Sequence, residues 1–254
     1  MKHLLVCLAS FLALGTLHAQ EPADYVNPFI GTTNFGTCNP GAVCPNGMMS
    51  VVPFNVMGSE DNKYDKDARW WSTPYDYTNS FFTGFAHVNL SGVGCPELGS
   101  LLLMPTTGKL DVDYRNYGSK YEKENATPGY YTISLTKYNI LAEATATPRT
   151  GLSRFTFPKG ESNILLNLGE GLTNETGAFM RRVSDCEVEG MKVLGTFCYN
   201  PQAVFPIYFV MRINKAPKAT GYWKKQRPMQ GVEATLAYHG STTAIFHRNS
   251  KQLY

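Results

Sequence analysis

The chain has 254 residues, of which 43% are hydrophobic and 17% charged, a composition typical of a globular protein and not of a disordered one. The formal net charge is +3, and the basic residues are scattered without a run or a basic helix, so the sequence does not predict nucleic-acid binding. A chain of this length can bury a sizeable core as one large all-β domain or as two small domains.

The first twenty residues have the layout of a secretory signal peptide. Lys2 supplies the positive start, an apolar centre follows, and Ala19 is an acceptable cleavage position. Cys7 lies inside the apolar centre, which disfavours a lipoprotein. The apolar run is too short for a stable membrane span. We therefore predict a signal peptide over residues 1–19, no membrane association, and a mature protein that is secreted or periplasmic.

Cleavage there leaves five cysteines, Cys38, Cys44, Cys95, Cys186 and Cys198. An odd number leaves at least one free thiol or an intermolecular bond. Cys186 and Cys198 flank a predicted hairpin and could pair, and Cys38 and Cys44 are also close in sequence. Equally, most of the five could be small buried hydrophobic residues. Their spacing does not resemble a zinc site.

The segment Tyr25–Pro53 is rich in glycine and proline and poor in strand formers. It is interpreted as an ordered loop region that leads into a first long strand, Met48–Phe54. Binding groups often lie on loops of this kind above a rigid sheet. The charged residues Ser59–Arg69 are predicted to form a surface loop.

The stretch Arg69–Pro105 combines aromatic rings with a glycine-rich turn. Trp70 and Trp71 are adjacent, so in an extended segment their side chains point in opposite directions. One ring could belong to the core, which is the more frequent place for a tryptophan in a sandwich. The polar residues that follow favour one of the two rings as the lining of a cleft. A flat ring of this kind suits the apolar face of a sugar.

The second half of this stretch supplies the other candidate binding residues. His87 and Asn89 share one face of a predicted strand, where a polar pair is usually structural. The turn that follows permits close approach of a ligand to the backbone. The candidate substrate-binding residues are therefore Trp71, His87, Asn89, Ser91, Gly92 and Gly94.

Strand signals dominate the rest of the chain. Tyr131, Ile133 and Leu135 alternate with polar residues, which predicts a half-buried strand. Ser162–Leu168 and Val204–Ile213 are predicted to be more fully buried strands. Turn signals recur between them. About a dozen or more short strands predict an all-β fold, a large antiparallel β-sandwich.

Catalytic groups are not evident. Glycoside hydrolysis normally needs two carboxylates that face each other across the sugar. Asp111 and Asp113 are predicted to be solvated, as are the aspartates of the charged loop. Glu97 could orient another group or hold a metal, but a lone carboxylate more often makes a loop hydrogen bond. No catalytic residue and no metal site is predicted.

Several motifs resemble, in the right order, the N-terminal part of glycoside hydrolase family 92, the calcium-dependent exo-acting α-mannosidases. The resemblance covers about Asp24 to Gly231. Ala86, Val88 and Asn89 stand where the family more often has serine, threonine and histidine. The motifs are YVNPFIGT (Tyr25–Thr32), NPGAVCPNGM (Asn39–Met48), WSTPYDY (Trp71–Tyr77), GFAHVNLSGVGC (Gly84–Cys95) and LGSLLLMP (Leu98–Pro105).

This resemblance implies an N-terminal β-sandwich followed by a helical (α/α)6 catalytic domain that would need several hundred further residues. It implies that the catalytic acid, the base and the calcium ligands lie outside this chain, so no cofactor is expected in the chain itself. It further implies an α-mannoside glycan as the ligand, with Trp71 as the aromatic contributor to the mannose pocket. The alternative is a free-standing carbohydrate-binding or structural β-sandwich.

The chain is accordingly divided into a signal peptide, a sandwich domain over residues 20–233, and an atypical tail over residues 234–254. The tail has few apolar residues, and the polar run His239–Thr243 interrupts their alternation. It is expected to pack poorly, as a segment added by truncation or by a change of reading frame. A gene product that folds badly is the third hypothesis.

Overall fold

A computed structural model describes the chain over residues 21–33, 36–56, 73–92, 94–95, 97–172, 175–195, 198, 200, 202–224, 227–230, 234–238 and 242–249. The predicted signal peptide, residues 1–19, lies outside these residues. So do Trp70, Trp71 and the charged loop that precedes them.

Strands dominate the described residues, with one short 3-10 turn at Pro22–Tyr25 and one α-helical turn at Tyr114–Tyr117. Asp113 caps the α-helical turn by accepting a hydrogen bond from the backbone N–H of Arg115. The seventeen strands are β1 (Ala42–Val43), β2 (Ser50–Phe54), β3 (Phe81–Phe82), β4 (Gly84–Asn89), β5 (Leu98–Thr107), β6 (Ser119–Thr127), β7 (Tyr130–Leu135), β8 (Ile140–Ala146), β9 (Gly151–Thr156), β10 (Glu161–Asn167), β11 (Glu175–Ser184), β12 (Glu187–Leu194), β13 (Phe205–Arg212), β14 (Ala219–Lys224), β15 (Arg227–Gln230), β16 (Ala234–Tyr238) and β17 (Thr242–Asn249).

Three sheets contain these strands. The largest has eight strands in the order β1-β2-β4-β5-β10-β17-β14-β15, the second has five in the order β3-β6-β7-β8-β9, and the third has four in the order β13-β12-β11-β16. The strand pairs of the described residues are antiparallel. The prediction of an all-β, antiparallel sandwich is confirmed.

The alternation in β7 behaves as the sequence predicts. Tyr131, Ile133 and Leu135 are fully buried, whereas Thr132 and Ser134 between them are only half-buried. Successive side chains of a strand point to opposite faces, so one face of the five-stranded sheet enters the core and the other meets solvent.

Aromatic rings join the eight-stranded and five-stranded sheets. The ring of Phe85 on β4 lies edge-on to Tyr131 on β7, with centroids 5.9 Å apart, and stacks at 6.3 Å on Phe155 of β9. All three rings are buried. Aromatic pairs in these arrangements contribute beyond the area they bury, and they fix the two sheets face to face.

The four-stranded sheet packs on the ends of β4 and β5. Val88 and Leu98 form a buried cluster with Leu194 of β12, and Phe205 of β13 packs against it. This contact places the loop between β4 and β5 beside the loop between β12 and β13. The fold thereby brings two distant parts of the chain to one end of the molecule.

The prediction for Val204–Ile213 is wrong in one respect. A strand is present, β13, but it is not fully buried: half-buried and exposed residues alternate along its whole length. Tyr208 is 72% exposed and Val210 is 59% exposed. An apolar run does not by itself distinguish a strand covered on both faces from one covered on a single face.

The final segment differs from the expectation of a poorly packed tail. β16 pairs with β11, and β17 lies between β10 and β14 in the eight-stranded sheet. The expectation was based on the small number of apolar side chains in the tail. Strand pairing, however, uses the backbone N–H and C=O groups, and every residue except proline has both. The domain division at Ala234 and its origin in a truncation stay predictions.

Candidate functional site

The candidate site is the exposed loop between β4 and β5. Ser91, Gly92 and Gly94 are all exposed in it. Gly92 has a φ of +76°, in the left-handed region where a side chain would be strained, and a Cβ added there would meet open space. The backbone conformation therefore favours glycine at this position, and the backbone of the loop is open to a ligand.

This loop is attached to two other parts of the chain. The backbone N–H of Gly92 donates to the carbonyl oxygen of Thr37 at 2.7 Å. A disulfide joins Cys95 to Cys198, which is 103 residues further along the chain. The loops around Thr37, Ser91 and Cys198 therefore form one surface, and a disulfide clamps two of them together.

The cysteine pairs considered from the sequence are wrong. Cys198 bonds to Cys95 and not to Cys186, while Cys38, Cys44 and Cys186 are free thiols. Proximity in sequence favoured the wrong pairs, because the sheet packing that brings the two loops together cannot be seen in local spacing.

Glu97 stabilises the same two disulfide-linked loops. Its side chain is only 6% exposed, and its carboxylate accepts a hydrogen bond from the backbone N–H of Cys198 at 2.7 Å. Of the two roles considered from the sequence, this structure supports the loop hydrogen bond. A buried carboxylate that accepts a backbone N–H orders the loop and is satisfied by it.

A carboxylate and an ammonium that sequence reasoning missed lie near the start of β5. The backbone N–H of Leu172 donates to Leu98 at 2.9 Å, which attaches residues 169–172 to the end of the candidate loop. Burial raises the pKa of Glu170 above its usual value, and the ammonium of Lys192 opposes that shift. Lys192 is fully buried and donates to the carbonyl oxygen of Glu170 at 2.9 Å. No local sequence motif predicts the contact between Glu170 and Lys192, because it depends on the packing of two sheets.

The side chain of Asn89 links β4 to β2 by hydrogen bonding. Its side-chain amide donates to the hydroxyl of Ser50 at 2.9 Å and to the carbonyl of Ala86 at 3.1 Å. Its amide oxygen is buried and has no partner among the described atoms. The donors of Asn89 are used within the protein, and the unused acceptor lies directly before the candidate loop.

His87 faces the interior between two sheets. Its ring lies beside Met49, and both side chains come within 3.3 Å of the position that a Cβ on Gly151 would take. Nδ1 lies 2.8 Å from the carbonyl oxygen of Leu101 and is therefore the protonated nitrogen. Burial lowers the pKa of the imidazole below its usual 6.5, so the ring is neutral at pH 7.

The structure thus brings together only part of the predicted set. Asn89 directly precedes the loop of Ser91, Gly92 and Gly94. The His87 ring instead lies in the interior, where it bonds to the Leu101 carbonyl. Trp71 lies outside the described residues, and its role stays a prediction.

The segment after Trp71 is firmly anchored. The buried side chain of Asn55 accepts from the backbone N–H of Asp76 at 2.8 Å and donates to its carbonyl at 3.0 Å. The Asn79 amide donates to the Asn55 carbonyl at 2.8 Å. Residues 73–79 are therefore fixed against the end of β2.

A second titratable cluster lies under the same segment. Glu124 on β6 accepts hydrogen bonds from the hydroxyls of Tyr131 at 2.6 Å and of Tyr75 at 3.1 Å. Burial raises the pKa of this carboxyl, and the two hydrogen bonds oppose the shift. Glu124 is therefore held by two tyrosine hydroxyls within the sandwich.

The chemistry that these residues offer is recognition. Within the described ranges, no three histidine, cysteine, aspartate or glutamate side chains converge to form a metal site. These side chains do not fit a calcium site, and the resemblance itself places the calcium ligands outside this chain. The exposed backbone of the glycine-rich loop and the hydroxyl of Ser91 are suited to hydrogen bonding with a polar ligand, and the Cys95–Cys198 disulfide holds the loop in place.

Sequence comparisons place the chain in a family and identify a relative. The profile described as "Glycosyl hydrolase family 92 N-terminal domain" matches residues 25–253. An "Uncharacterized secreted glycosidase" of Arthroderma benhamiae is 33% identical over 61% of this chain and 21% of the relative. The chain therefore spans about a fifth of the length of that relative.

Solved structures show the same likeness in the fold. The family GH92 α-mannosidase BT3965 of Bacteroides thetaiotaomicron, in complex with mannoimidazole, matches with a TM-score of 0.74 and 25% identity, over 90% of this chain and 32% of that one. The GH92 glycosyl hydrolase ccman5 matches with a TM-score of 0.72 and 24% identity, over 89% of this chain and 30% of that one. The chain spans about a third of each.

Proposed function

The chain belongs to glycosyl hydrolase family 92, as an N-terminal domain of that family. We therefore propose that it is the β-sandwich domain that contributes to substrate binding in an α-mannoside hydrolase. In this proposal it contributes loops to a mannose pocket and does not hydrolyse glycans by itself. The remainder of the pocket is assigned to a further catalytic domain, which the full-length structures of the family carry.

The clamped loop Ser91–Gly94 is the observation that carries this proposal. It lies within the family motif Gly84–Cys95, it is exposed, and the Cys95–Cys198 disulfide fixes it. Pre-organised backbone donors lower the entropic cost of binding a hydroxylated ligand.

The catalytic acid and base are assigned to the further domain. Inversion requires two carboxyl groups about 6.5–9.5 Å apart with a water between them. Glu97 and Glu124 are each held by a partner within the sandwich. We likewise assign the calcium ligands to residues outside this chain, and no catalytic step is derived through the ion here.

Export from the cytoplasm is part of the same proposal. The pattern of residues 1–19, the disulfide, and the secreted relative support it, since disulfides persist in oxidising compartments. In the part of the chain that the structure describes, no helix is long and apolar enough to cross a bilayer.

Two measurements on the purified chain test the proposal. Release of mannose from α-mannosides should be undetectable with or without calcium, and calcium-dependent turnover would contradict the assignment of catalysis to another domain. In a two-dimensional NMR titration, methyl α-mannoside at about 50 mM, above the millimolar dissociation constant expected of half a pocket, should shift the amides of Ser91, Gly92 and Thr37.

The internal control in that titration is Gly160, a glycine in another turn that also has open space around its Cα. Its amide should not shift. Equal shifts at Gly160 and Gly92 would contradict the proposal that the Ser91–Gly94 loop binds the ligand. Binding with a dissociation constant below about 100 µM, more than 5 kcal/mol of affinity, would favour the free-standing carbohydrate-binding alternative.

A further inference from the structure

Tyr77 is an exposed aromatic residue that the proposed function does not use. It is 59% exposed, whereas Tyr75, two residues earlier in the same segment, is buried. The hydroxyl of Tyr75 donates to Glu124 at 3.1 Å. One tyrosine therefore anchors the segment to the sandwich, and the other is presented to solvent. A tyrosine ring combines an apolar face with a polar hydroxyl, which suits a ligand that has both C–H faces and hydroxyl groups.

A second ring supports Tyr77. The rings of Phe29 and Tyr77 lie edge to face, with centroids 5.7 Å apart and an angle of 64° between their planes. Phe29 is itself packed against the main hydrophobic core. Its backbone N–H donates to the side-chain oxygen of Asn27 at 3.0 Å. The contact orders the Tyr77 ring before a ligand arrives, which lowers the entropic cost of binding.

A segment with two arms, residues 31–33 and 36–38, lies between Tyr77 and the candidate loop. The backbone N–H of Cys38 donates to the carbonyl oxygen of Gly31 at 3.2 Å, which joins the two arms side by side. Each arm also accepts one backbone hydrogen bond from a different part of the chain. The segment therefore connects two parts of the surface that are distant in sequence.

Hydrogen bonds in series set the distance between Tyr77 and the candidate loop. Thr32 in the first arm accepts the backbone N–H of Tyr77 at 2.9 Å. Thr37 in the second arm accepts the backbone N–H of Gly92 at 2.7 Å. Four backbone segments follow one another, and three spacings of about 4.8 Å separate Tyr77 from Gly92 by about 14 Å. That distance exceeds one pyranose ring and suits two linked sugar units.

We propose that Tyr77 contacts the second sugar unit of an α-mannoside, the unit to which the terminal mannose is linked. This inference rests on the proposed function, because it takes the Ser91–Gly94 loop as the place of the terminal mannose. The hydrogen-bonded connection to that loop favours a glycan as the occupant. A protein surface from the rest of a longer chain is the competing occupant, and the test separates the two.

Nuclear magnetic resonance titrations of the purified chain test the inference, with methyl α-mannoside and with mannobioses of different α linkages as the ligands. Both kinds of ligand should shift the amide of Gly92, and only a mannobiose should shift the ring resonances of Tyr77. The preferred mannobiose should bind about fivefold more tightly than methyl α-mannoside, as one added aromatic contact provides. Tyr77→Ala should remove this gain and leave the affinity for methyl α-mannoside unchanged.

The matched control is Tyr208→Ala, which changes a tyrosine that is 72% exposed on β13. It should alter neither affinity. Both substituted positions are exposed, so circular dichroism spectra should match that of the wild type.

The outcomes distinguish this inference from the proposed function. Loop shifts together with a mannobiose affinity that Tyr77→Ala leaves unchanged would overturn the inference alone and favour a protein surface as the occupant. An equal loss of affinity for both kinds of ligand would place Tyr77 at the terminal unit and would also overturn it. Absence of loop shifts with every ligand would contradict the proposed function and this inference together.

Discussion

Glu124 shows how burial and hydrogen bonding act against each other at a single residue. Its carboxyl is enclosed by β6, β7 and the segment after Trp71, and two tyrosine hydroxyls donate to it. Burial is the larger effect and raises its pKa. Protonation therefore favours the folded state. The contribution of Glu124 to stability is fully present below its unfolded pKa, near 4.5, and is lost as pH rises through the higher folded-state value.

Glu124→Gln removes this titration while keeping a side chain of similar shape. The free energy of unfolding of the variant should rise relative to the wild type as pH increases from about 4.5 to 7.5, because only the wild type acquires a buried charge. Urea unfolding at several pH values measures the difference. A difference that stays constant over this pH range for Glu124→Gln would refute the assignment, and Glu122→Gln, at an exposed position on the same strand, is the control for the removal of a carboxylate.

At the scale of elements, the two loops at the end of the sandwich depend on one cross-link. Cys95–Cys198 connects the β4–β5 loop to the β12–β13 loop, beside the apolar cluster of Val88, Leu98 and Leu194. Closing a loop of this length removes much entropy from the unfolded chain. The cross-link therefore stabilises the fold as well as the shape of the candidate site.

Cys198→Ser should lower the free energy of unfolding by about 2–5 kcal/mol, the range for loss of a native disulfide. It should also make the amide of Gly92 exchange with solvent faster, because the loop loses one of its attachments. Chemical denaturation and hydrogen exchange measure the two effects. Cys186→Ser, which removes a free thiol, serves as the control and should change stability by less than about 0.5 kcal/mol. Equal effects of the two substitutions would argue against the observed pairing.

At the scale of the whole molecule, the eight-stranded sheet joins both ends of the described chain. β1 and β2 lie near one edge, while β17 lies between β10 and β14. Pairing of strands so distant in sequence makes folding slow, in the range of milliseconds to seconds. It also means that the sheet cannot be completed before the last strand is present.

Deletion of residues 234–254 should therefore abolish cooperative unfolding. It removes the strand between β10 and β14 and leaves their inner edges unpaired. The cost is comparable to the total stability of a domain, about 5–15 kcal/mol. Thermal unfolding followed by circular dichroism measures it, with a chain that ends at residue 249 as the control. An unchanged midpoint after the longer deletion would support the earlier expectation of a dispensable tail.

The class of fold and the family could be predicted from local sequence patterns. Alternation such as that of Tyr131, Ile133 and Leu135 is local, so it reports which face of a strand is buried without knowledge of the partner. Motifs such as Gly84–Cys95 are also local, and their order identified the family that the profile match confirms.

Contacts between residues far apart in the sequence could not be predicted, because they depend on how the sheets pack. The Cys95–Cys198 bond, the buried Lys192 beside Glu170, and the place of β17 between two earlier strands each join residues far apart in sequence. The exposure of Tyr208 was equally hidden, because the apolar run around it fits a strand covered on one face or on both. Local patterns record the preference of each residue for burial, whereas packing between sheets decides which surfaces are in fact covered.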